Sequence, residues 1–245
     1  MRWLIRHFWG VTLLLAAWQV WVELADYNAI VMPRPSAVFG DLARHPFAYL
    51  RPALATLLVA AVGLAGGVAL SLALAIAGWL SSLLRGLLIP VAVMISAVPV
   101  VAIIPILARL FGYDRSTVLA VVVIITFFPS FVFGSAGLRA LPPLSEDLFR
   151  VLGAGRWTVL RRLALPAAVP HLMTAIRLAA AHSVLAAMVA EFLMGGSGLG
   201  ELFATTRADF RMDRAIGASL VAMALSVTIY LAATAVERRV RERWS

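Results

Sequence analysis

The chain has no cysteine and no lysine, and acidic and basic residues together make up only 13% of its 245 positions. Without cysteine it can form neither a disulfide framework nor a thiolate metal site. It also contains no Gly-x-x-x-x-Gly-Lys motif and no cluster of catalytic side chains. We therefore expect no ATP hydrolysis, no catalytic residue and no metal or cofactor site in this chain.

What the chain has in excess is apolar residues, which make up 62% of it and give a mean hydropathy of +0.96. A soluble domain of this length cannot bury that much apolar surface, so the composition indicates a protein that crosses a membrane several times. The net charge of +9 could indicate nucleic-acid binding. Arginines that flank membrane spans explain it more simply, so we expect no nucleic-acid partner.

Apolar stretches of about 20 residues, the length that a helix needs to cross the hydrocarbon core, recur along the chain. They predict an all-α, polytopic membrane protein with six transmembrane helices in one transmembrane domain, residues 1–245. The predicted spans are residues 8–25, 52–80, 87–110, 117–134, 167–194 and 215–236. The alternative for the first span is a secretory signal peptide, but the apolar run is long for one and no clear cleavage site comes after it.

Residues 139–166 form the predicted loop between the fourth and fifth spans, and the part from Asp147 to Pro166 is patterned enough to fold. Its first apolar stripe has the helical spacing i, i+3, i+4, with Leu148, Val151 and Leu152. The sequence Gly153-Ala154-Gly155 should break this helix in a tight turn. A second short helix should come next and end at Pro166, because proline lacks the N–H that an inner turn needs.

Six spans place both termini on one side of the membrane. If that side is the cytoplasm, twelve arginines lie there, Arg2 and Arg6 among them, against eight on the opposite side. The positive-inside rule therefore predicts cytoplasmic termini and a cytoplasmic loop 139–166. A helix-turn-helix at that surface suits docking to another protein, and the alternative is an amphipathic hairpin packed on lipid headgroups.

The same loop resembles the EAA loop of ABC importer permeases, in which an acidic-Ala-Ala triplet precedes a glycine and an apolar-x-Leu-Pro ending. The triplet here is Asp147-Leu148-Phe149, which departs from the family pattern, the glycine is Gly153, and the ending is Leu163-Ala164-Leu165-Pro166. The resemblance extends to the proline-rich third span and to three further stretches, Pro33–Val38, Ala190-Glu191-Phe192 and Gly196–Gly200. Together they are similar to the nitrate/sulfonate/taurine branch of binding-protein-dependent type I importers.

This resemblance implies a transport subunit of the inner (cytoplasmic) membrane and not an enzyme. Its implied partners are a second copy of the permease, a cytoplasmic ABC ATPase that binds ATP and Mg, and a periplasmic or lipid-anchored solute-binding protein. The residues that would couple to the ATPase are Asp147, Gly153, Leu163, Leu165 and Pro166. The implied solute is a small organic or inorganic anion such as a sulfonate, taurine or nitrate. The alternative is an aromatic or pyrimidine vitamin precursor.

Polar and helix-breaking residues in the third, fourth and fifth spans are candidates for lining the solute route at the dimer interface. Prolines inside a span free backbone carbonyls that water or neighbours must satisfy, and the third span has three. The candidates are Pro99, Thr126, Ser130, His182, Ser183 and Glu191. Each has a structural alternative: an ordinary kink for the proline, a bond to a neighbouring helix for His182, and gating or helix pairing for Glu191.

Residues 195–213 are predicted to be a glycine-rich polar loop. A phosphate-binding role for it is disfavoured, because no Lys-Ser/Thr comes after the glycines and no strand of a soluble domain precedes them. The rival function from another class is a stand-alone secondary transporter, which usually needs intramembrane carboxylates or histidines. His182 and Glu191 are sparse candidates for that role, and the rival leaves the Asp147–Pro166 element without a function. A membrane enzyme is a weaker rival, because no catalytic cluster is visible.

Overall fold

The computed structural model of the chain describes the backbone of residues 2–244 and the side chains of residues 9–243. The side chains of Arg2 and Arg6, two of the twelve arginines predicted on the cytoplasmic side, lie outside the described residues. All regular structure in the described part is helical. The helices are α1 Arg2–Leu24, α2 Pro35–Arg44, α3 Pro46–Leu80, α4 Ser82–Ala97, α5 Val100–Phe111, α6 Arg115–Gly137, α7 Ser145–Val151, α8 Arg156–Val159, α9 Leu165–Met194, α10 Leu199–Ala208 and α11 Met212–Trp244.

Four stretches of helix are long and apolar enough to cross a membrane: α3, α6, the continuous helix Arg156–Met194 and most of α11. A fifth candidate is the pair α4 and α5, if the two together make one crossing. The described apolar part of α1, Trp9–Leu24, is shorter than 18 residues. The predicted all-helical membrane fold is therefore confirmed, whereas the described residues offer four or five candidate spans where the sequence predicted six.

The predicted third span, residues 87–110, is not one kinked helix. It consists of α4 and α5, whose axes differ by 104°. The break falls at Val98, which has an extended backbone directly before Pro99, as the ring of a following proline favours. Pro90 and Pro105 lie inside the two helices. Of the three prolines, therefore, only Pro99 separates two helices.

In the core of the bundle, α6 packs between α3 and α9, and small residues allow the helices to approach each other closely. A Cβ at Gly63 of α3 would lie 2.5 Å from the Val122 side chain, and one at Gly67 would collide with the Thr126 hydroxyl. On the other side of α6, Val118 and Val121 join a buried cluster with Val184 of α9. Close approach of backbones through small residues is the usual basis of helix packing in membranes.

The second helix of the predicted helix-turn-helix does not end at Pro166, so that prediction is wrong. Helix α8 continues through a π-helical turn, Leu160–Ala164, directly into α9, with Pro166 inside the continuous helix. The N–H of Leu165 bonds to the carbonyl of Leu160, five residues back. This wider turn shifts the hydrogen-bond register just before Pro166, where the missing proline N–H would otherwise interrupt an α-helical ladder.

The predicted loop 195–213 is also partly helical, because α10 lies inside it and packs on α3, α9 and α11. Its buried residues, Leu199, Gly200 and Thr206, lie along one side of the helix. At the same end of the bundle as α10, helix α2 also packs on α11. Helices α2 and α10 therefore close the end of the bundle opposite to α7 and α8.

Candidate coupling surface and polar clusters

The short element formed by α7, the turn 152–155 and α8 depends on one glycine. Gly153 has φ +67°, a left-handed conformation that costs a residue with a Cβ about 1–2 kcal/mol. The turn is closed by two bonds, from the N–H of Gly153 to the Arg150 carbonyl at 3.0 Å and from the N–H of Ala154 to the Phe149 carbonyl at 2.9 Å. A Cβ at Gly153 would meet no atom within 4 Å, so the surface beside this turn is open.

The apolar side chains of α7 and the residue after it are exposed. Leu148, Val151 and Leu152, which we call the α7 patch, are 58%, 86% and 70% exposed. Asp147 beside them is exposed and forms an ion pair with Arg150, at 3.2 Å. The predicted apolar stripe therefore exists, but nothing in the described chain covers it, and it lies outside the candidate spans.

The other half of the predicted coupling motif attaches this element to the bundle. Leu163, Leu165 and Pro166 are half-buried in the continuous helix, and Leu165 packs against the core. The fully buried residues of this stretch are Leu160 and Ala164, which pack with Leu138 beyond the end of α6. The sequence places Leu160 on the apolar stripe of the predicted second helix but did not single it out as the main anchor, although its i, i+4 spacing to Ala164 and Ala168 is visible.

At the opposite end of the bundle, the buried carboxylate of Glu191 holds α10 in place. It accepts hydrogen bonds from the Thr56 hydroxyl at 2.7 Å and from the N–H of Gly200 at 3.1 Å. The Thr56 hydroxyl in turn accepts the N–H of Leu199 at 2.8 Å. A Cβ at Gly198 would collide with the Glu191 carboxylate, and a Cβ at Gly200 with the Met188 carbonyl. The glycines of the predicted loop therefore permit this close contact.

A second polar cluster at the same end joins α2 to the first turn of α11. Arg214 donates two hydrogen bonds to Asp41, at 2.8 and 2.9 Å, and the Tyr49 hydroxyl donates another. The Nδ1 of His45 lies 3.1 Å from Asp41. The hydrogen bonds from Arg214 hold the pKa of Asp41 at about 2, below its usual 3.8, against the opposing effect of burial. No residue of this cluster was predicted as functional from the sequence.

Three of the candidate path residues are buried in helix packing. Thr126 donates to the Val122 carbonyl at 2.8 Å and packs on Gly67. Ser183 donates to the Ala180 carbonyl at 2.8 Å. The buried Ser130 hydroxyl has no hydrogen-bond partner among the described residues.

Two other candidates, Pro99 and His182, lie on the surface of the single chain. The imidazole Nδ1 of His182 is 2.8 Å from the Leu178 carbonyl one turn earlier in α9. Beside the bend at Pro99 is an apolar crevice of about 150 Å³. It is lined by Ile95, Ser96, Val98, Val100, Ile103, Ile124, Ile125 and Phe128. None of the six predicted path residues lines this crevice, and the structure does not gather the six into one cavity.

The fold is similar to that of a solved transporter. A chain of the inward-facing MetNI methionine ABC transporter superposes with a TM-score of 0.71, covering 80% of this chain and 98% of that one at 16% sequence identity. Two curated relatives match most of the sequence. The riboflavin transport system permease protein RibX of Chloroflexus aurantiacus is 32% identical, over 92% of this chain and 85% of its own length. The putative aliphatic sulfonates transport permease protein SsuC of Bacillus subtilis is 28% identical, over 90% and 82%.

Residues 67–242 match the family described as the binding-protein-dependent transport system inner membrane component. This match includes α7, the Gly153 turn, the Glu191 contact with α10 and nearly all of α11. The resemblance to ABC importer permeases is therefore confirmed. The chain is an integral protein of the inner membrane that acts in transport and is not itself an enzyme. The chain belongs to the family of inner-membrane permease components of binding-protein-dependent ABC transport systems.

Proposed function

We propose that this chain is the permease subunit of an ATP-driven importer, and that the α7 patch binds a separate cytoplasmic ATPase. The observation that carries the proposal is the exposure of Leu148, Val151 and Leu152 outside the candidate spans. An apolar surface that lies outside the candidate spans and that the rest of the chain leaves uncovered is stabilised when a protein partner covers it. ATP and Mg would bind to that partner, and the solute would arrive on a binding protein at the opposite end.

The coupling residues would act in two groups. Asp147 and Gly153 lie in the exposed part of the element, where they can meet the ATPase. Leu163, Leu165 and Pro166 lie in the continuous helix, where they transmit a displacement of α7 to α9. An ATP-driven motion requires that each nucleotide state of the ATPase binds the two conformations of the permease with different affinity.

The test of the docking proposal is Val151→Asp, with Phe47→Asp as the matched control. Both side chains are exposed, at 86% and 77%, but Phe47 lies at the start of α3, at the other end of the bundle. We expect Val151→Asp to insert normally and to lose both co-purification with the partner ATPase and solute uptake. Phe47→Asp should keep the ATPase. Retention of the ATPase and of uptake in Val151→Asp would refute docking at the α7 patch.

The proposed orientation has six spans and cytoplasmic termini, with α7 and α8 in the cytoplasm. It is supported by the arginine distribution and by the contact of α11 with the start of α9, where Glu237 accepts from Thr174 at 2.8 Å. This contact supports a C-terminal end of α11 at the same end of the bundle as α8. Single cysteines at Ser36 and Ser145 test it, because the chain has no native cysteine. A membrane-impermeant thiol reagent should label Ser36→Cys from outside and leave Ser145→Cys unlabelled.

For the solute, we propose two classes. The first is a small anion, as the resemblance implies and as the name of the sulfonate permease relative supports. The second is an aromatic heterocycle, which is favoured by the almost wholly apolar crevice at the bend of α4 and α5 and by the name of the riboflavin permease relative. An apolar wall stabilises an aromatic ring and offers nothing to replace the hydration of an anion.

Thermal-shift screening of the cognate binding protein distinguishes these classes. The panel should contain taurine, nitrate, an alkanesulfonate, a pyrimidine and riboflavin. A shift with a sulfonate or nitrate alone would support the anion and assign the crevice to helix packing. A shift with the pyrimidine or riboflavin alone would support the heterocycle.

A further inference from the structure

A cavity at the α7–α8 end of the bundle is rich in arginine. It has a volume of about 460 Å³ and is bounded by the end of α3, the start of α4, the segment after α6, and α7 with α8. One acidic residue, Glu146, and four arginines line it. The arginines are Arg85, Arg139, Arg150 and Arg156. We call this cavity the arginine cleft.

The positive charge of the arginine cleft is only partly neutralised, because four arginines line it together with one carboxylate, that of Glu146. Arg150 forms an ion pair with Asp147, which is itself exposed. For Arg85, Arg139 and Arg156 the described residues provide no carboxylate within ion-pair distance. Cations held around one cavity repel each other, and an anion that enters the cavity relieves this repulsion.

A narrow apolar crevice of about 10 Å³, room for about one water, adjoins the arginine cleft and shares three of its residues, Trp79, Arg85 and Arg139. Its remaining walls are Ala75 and Gly78 of α3, Ile89 of α4, and Phe131 and Ser135 of α6. Trp79 is the penultimate residue of α3, and Arg139 lies two residues beyond the end of α6. Tryptophan and arginine at the ends of spans mark the level of the lipid headgroups.

We propose that the arginine cleft binds the phosphate of an anionic phospholipid, whose acyl chains stay in the bilayer beside the ends of α3 and α6. The charge of the cleft selects the anion, and the position of the cleft beside Trp79 and arginines at the ends of spans, the level of the headgroups, favours a lipid over a free phosphate. Basic pockets between helix ends on the cytoplasmic side are suited to such headgroups. The proposal rests on the proposed function only for the leaflet, which is the cytoplasmic one. A bound lipid would join α8 to the ends of α3 and α6, and so stiffen the attachment of the α7 patch.

The probe is dioleoylphosphatidylglycerol, added to the purified full-length chain in a neutral detergent, with retained lipid counted by native mass spectrometry. The test variant is Arg85→Gln/Arg139→Gln, and the matched control is Arg239→Gln. Arg239 is exposed on α11 towards the same end of the bundle but does not line the cleft. We expect the wild type and Arg239→Gln to retain the lipid, and the double variant to bind it about tenfold more weakly or worse. Equal binding by the double variant and the wild type would overturn the proposal.

Two competitors separate the lipid from other anions. Dioleoylphosphatidylcholine tests the headgroup charge, and equal retention of it by the wild type would overturn the proposal. Glycerol phosphate tests the acyl chain, and displacement of the lipid at equal concentration would show that the cleft binds a free phosphate. If the double variant does not fold, the exposed Arg156→Gln replaces it, with an expected weakening of about threefold.

The partner ATPase provides the last arm of the experiment. Stoichiometric displacement of the lipid by the ATPase would assign the arginine cleft to the protein contact and overturn the proposal. Retention of the lipid in the complex supports it. The lipid measurement itself needs no ATPase, so an absence of lipid binding would leave the proposed docking at the α7 patch intact. Val151→Asp, which tests the docking, should bind the lipid like the wild type.

Discussion

The two ends of the helix bundle satisfy their polar groups in different ways. At the Glu191 end, the buried carboxylates of Glu191 and Asp41 have their hydrogen-bond donors within the chain. At the Gly153 end, apolar side chains of α7 and three arginines of the cleft have no partner in the described residues. The first end is held by contacts that form when the chain folds. The second presents surfaces that other molecules can complete.

This difference predicts that substitutions at the Glu191 end reduce stability first, whereas substitutions at the Gly153 end reduce association first. The largest expected effect is that of Arg214→Ala. It removes two hydrogen bonds from Asp41, whose side chain is only 6% exposed, and breaking such a buried pair costs about 3–5 kcal/mol. We expect a large fall in the apparent melting temperature of the purified protein in detergent.

Arg207→Ala is the control for this change, because Arg207 is exposed on α10 and forms no ion pair among the described residues. Its melting temperature should stay close to that of the wild type. If Arg214→Ala melts like Arg207→Ala, the pair contributes little to folding, and the contrast between the two ends would fail.

The second effect is that of Gly200→Ala, which tests whether α10 must lie against Glu191. The added methyl group would collide with the Met188 carbonyl, a backbone atom that cannot move aside without shifting α9. Overpacking of this kind costs about 1–3 kcal/mol. Gly86→Ala is the matched control, because its methyl group would meet no atom within 4 Å. Equal thermal stability of the two variants would show that α10 is not held tightly.

The apolar helices could be read from the sequence, but the contacts that close the Glu191 end could not. Their existence depends on pairs far apart in the chain, such as Asp41 with Arg214, 173 positions away, and Thr56 with Glu191, 135 positions away. Local pattern carries no information on such pairs. Helix α10 itself was missed because its glycine-rich start resembles a loop, although Leu199, Leu202, Phe203 and Thr206 have helical spacing.

At the Gly153 end, the turn could be predicted from the sequence, but the course of the helix after it could not. Gly153 was predicted correctly as a break because a left-handed turn needs only local information. Pro166 was predicted wrongly as a helix end, because the π turn that accommodates it is fixed by the burial of Leu160 and Ala164 against the core. The bend at Pro99, with Pro90 and Pro105 left inside helices, likewise depends on packing.

The third effect concerns pH. Because the folded-state pKa of Asp41 is about 2 and its unfolded value about 3.8, the ion pair contributes its full stability above the unfolded value. This contribution is lost as the pH falls from about 4 towards 2, and its size is about 2 kcal/mol. Between about pH 5 and about pH 2.5, the melting temperature should therefore fall more for the wild type than for Asp41→Asn. Parallel decreases would show that another carboxylate is responsible.

The fourth effect returns to the Gly153 end, where the cost in folding should be small. Gly153→Ala forces an alanine into φ +67° and should cost about 1 kcal/mol. Gly155→Ala is the matched control, because Gly155 has φ −69° and equally open surroundings. Gly153→Ala should lower both stability and ATPase association, and Gly155→Ala should leave stability unchanged. Identical stability of both variants would mean that the turn adapts.

The smallest expected change in stability is that of His182→Ala, in the middle of the bundle between the two ends. The imidazole is exposed, and its one hydrogen bond among the described residues is with the Leu178 carbonyl of its own helix. Its removal should therefore cost about 0.5 kcal/mol or less. A polar ring at this depth is unfavourable against lipid, so we expect it to face a second permease copy or the solute route. Uptake by the reconstituted complex should then fall severalfold while melting is unchanged.

Ser183→Ala gives the contrast that makes the His182 result interpretable. Ser183 is the next residue of α9 but is buried, with its hydroxyl bonded to the Ala180 carbonyl. Its loss should lower stability slightly and leave uptake per folded molecule unchanged. If His182→Ala keeps wild-type uptake and selectivity, His182 lies outside the solute route and its bond to Leu178 is its only role. If both variants lose uptake equally, the effect comes from α9 as a whole, and the surface of its middle part is not a separate functional region.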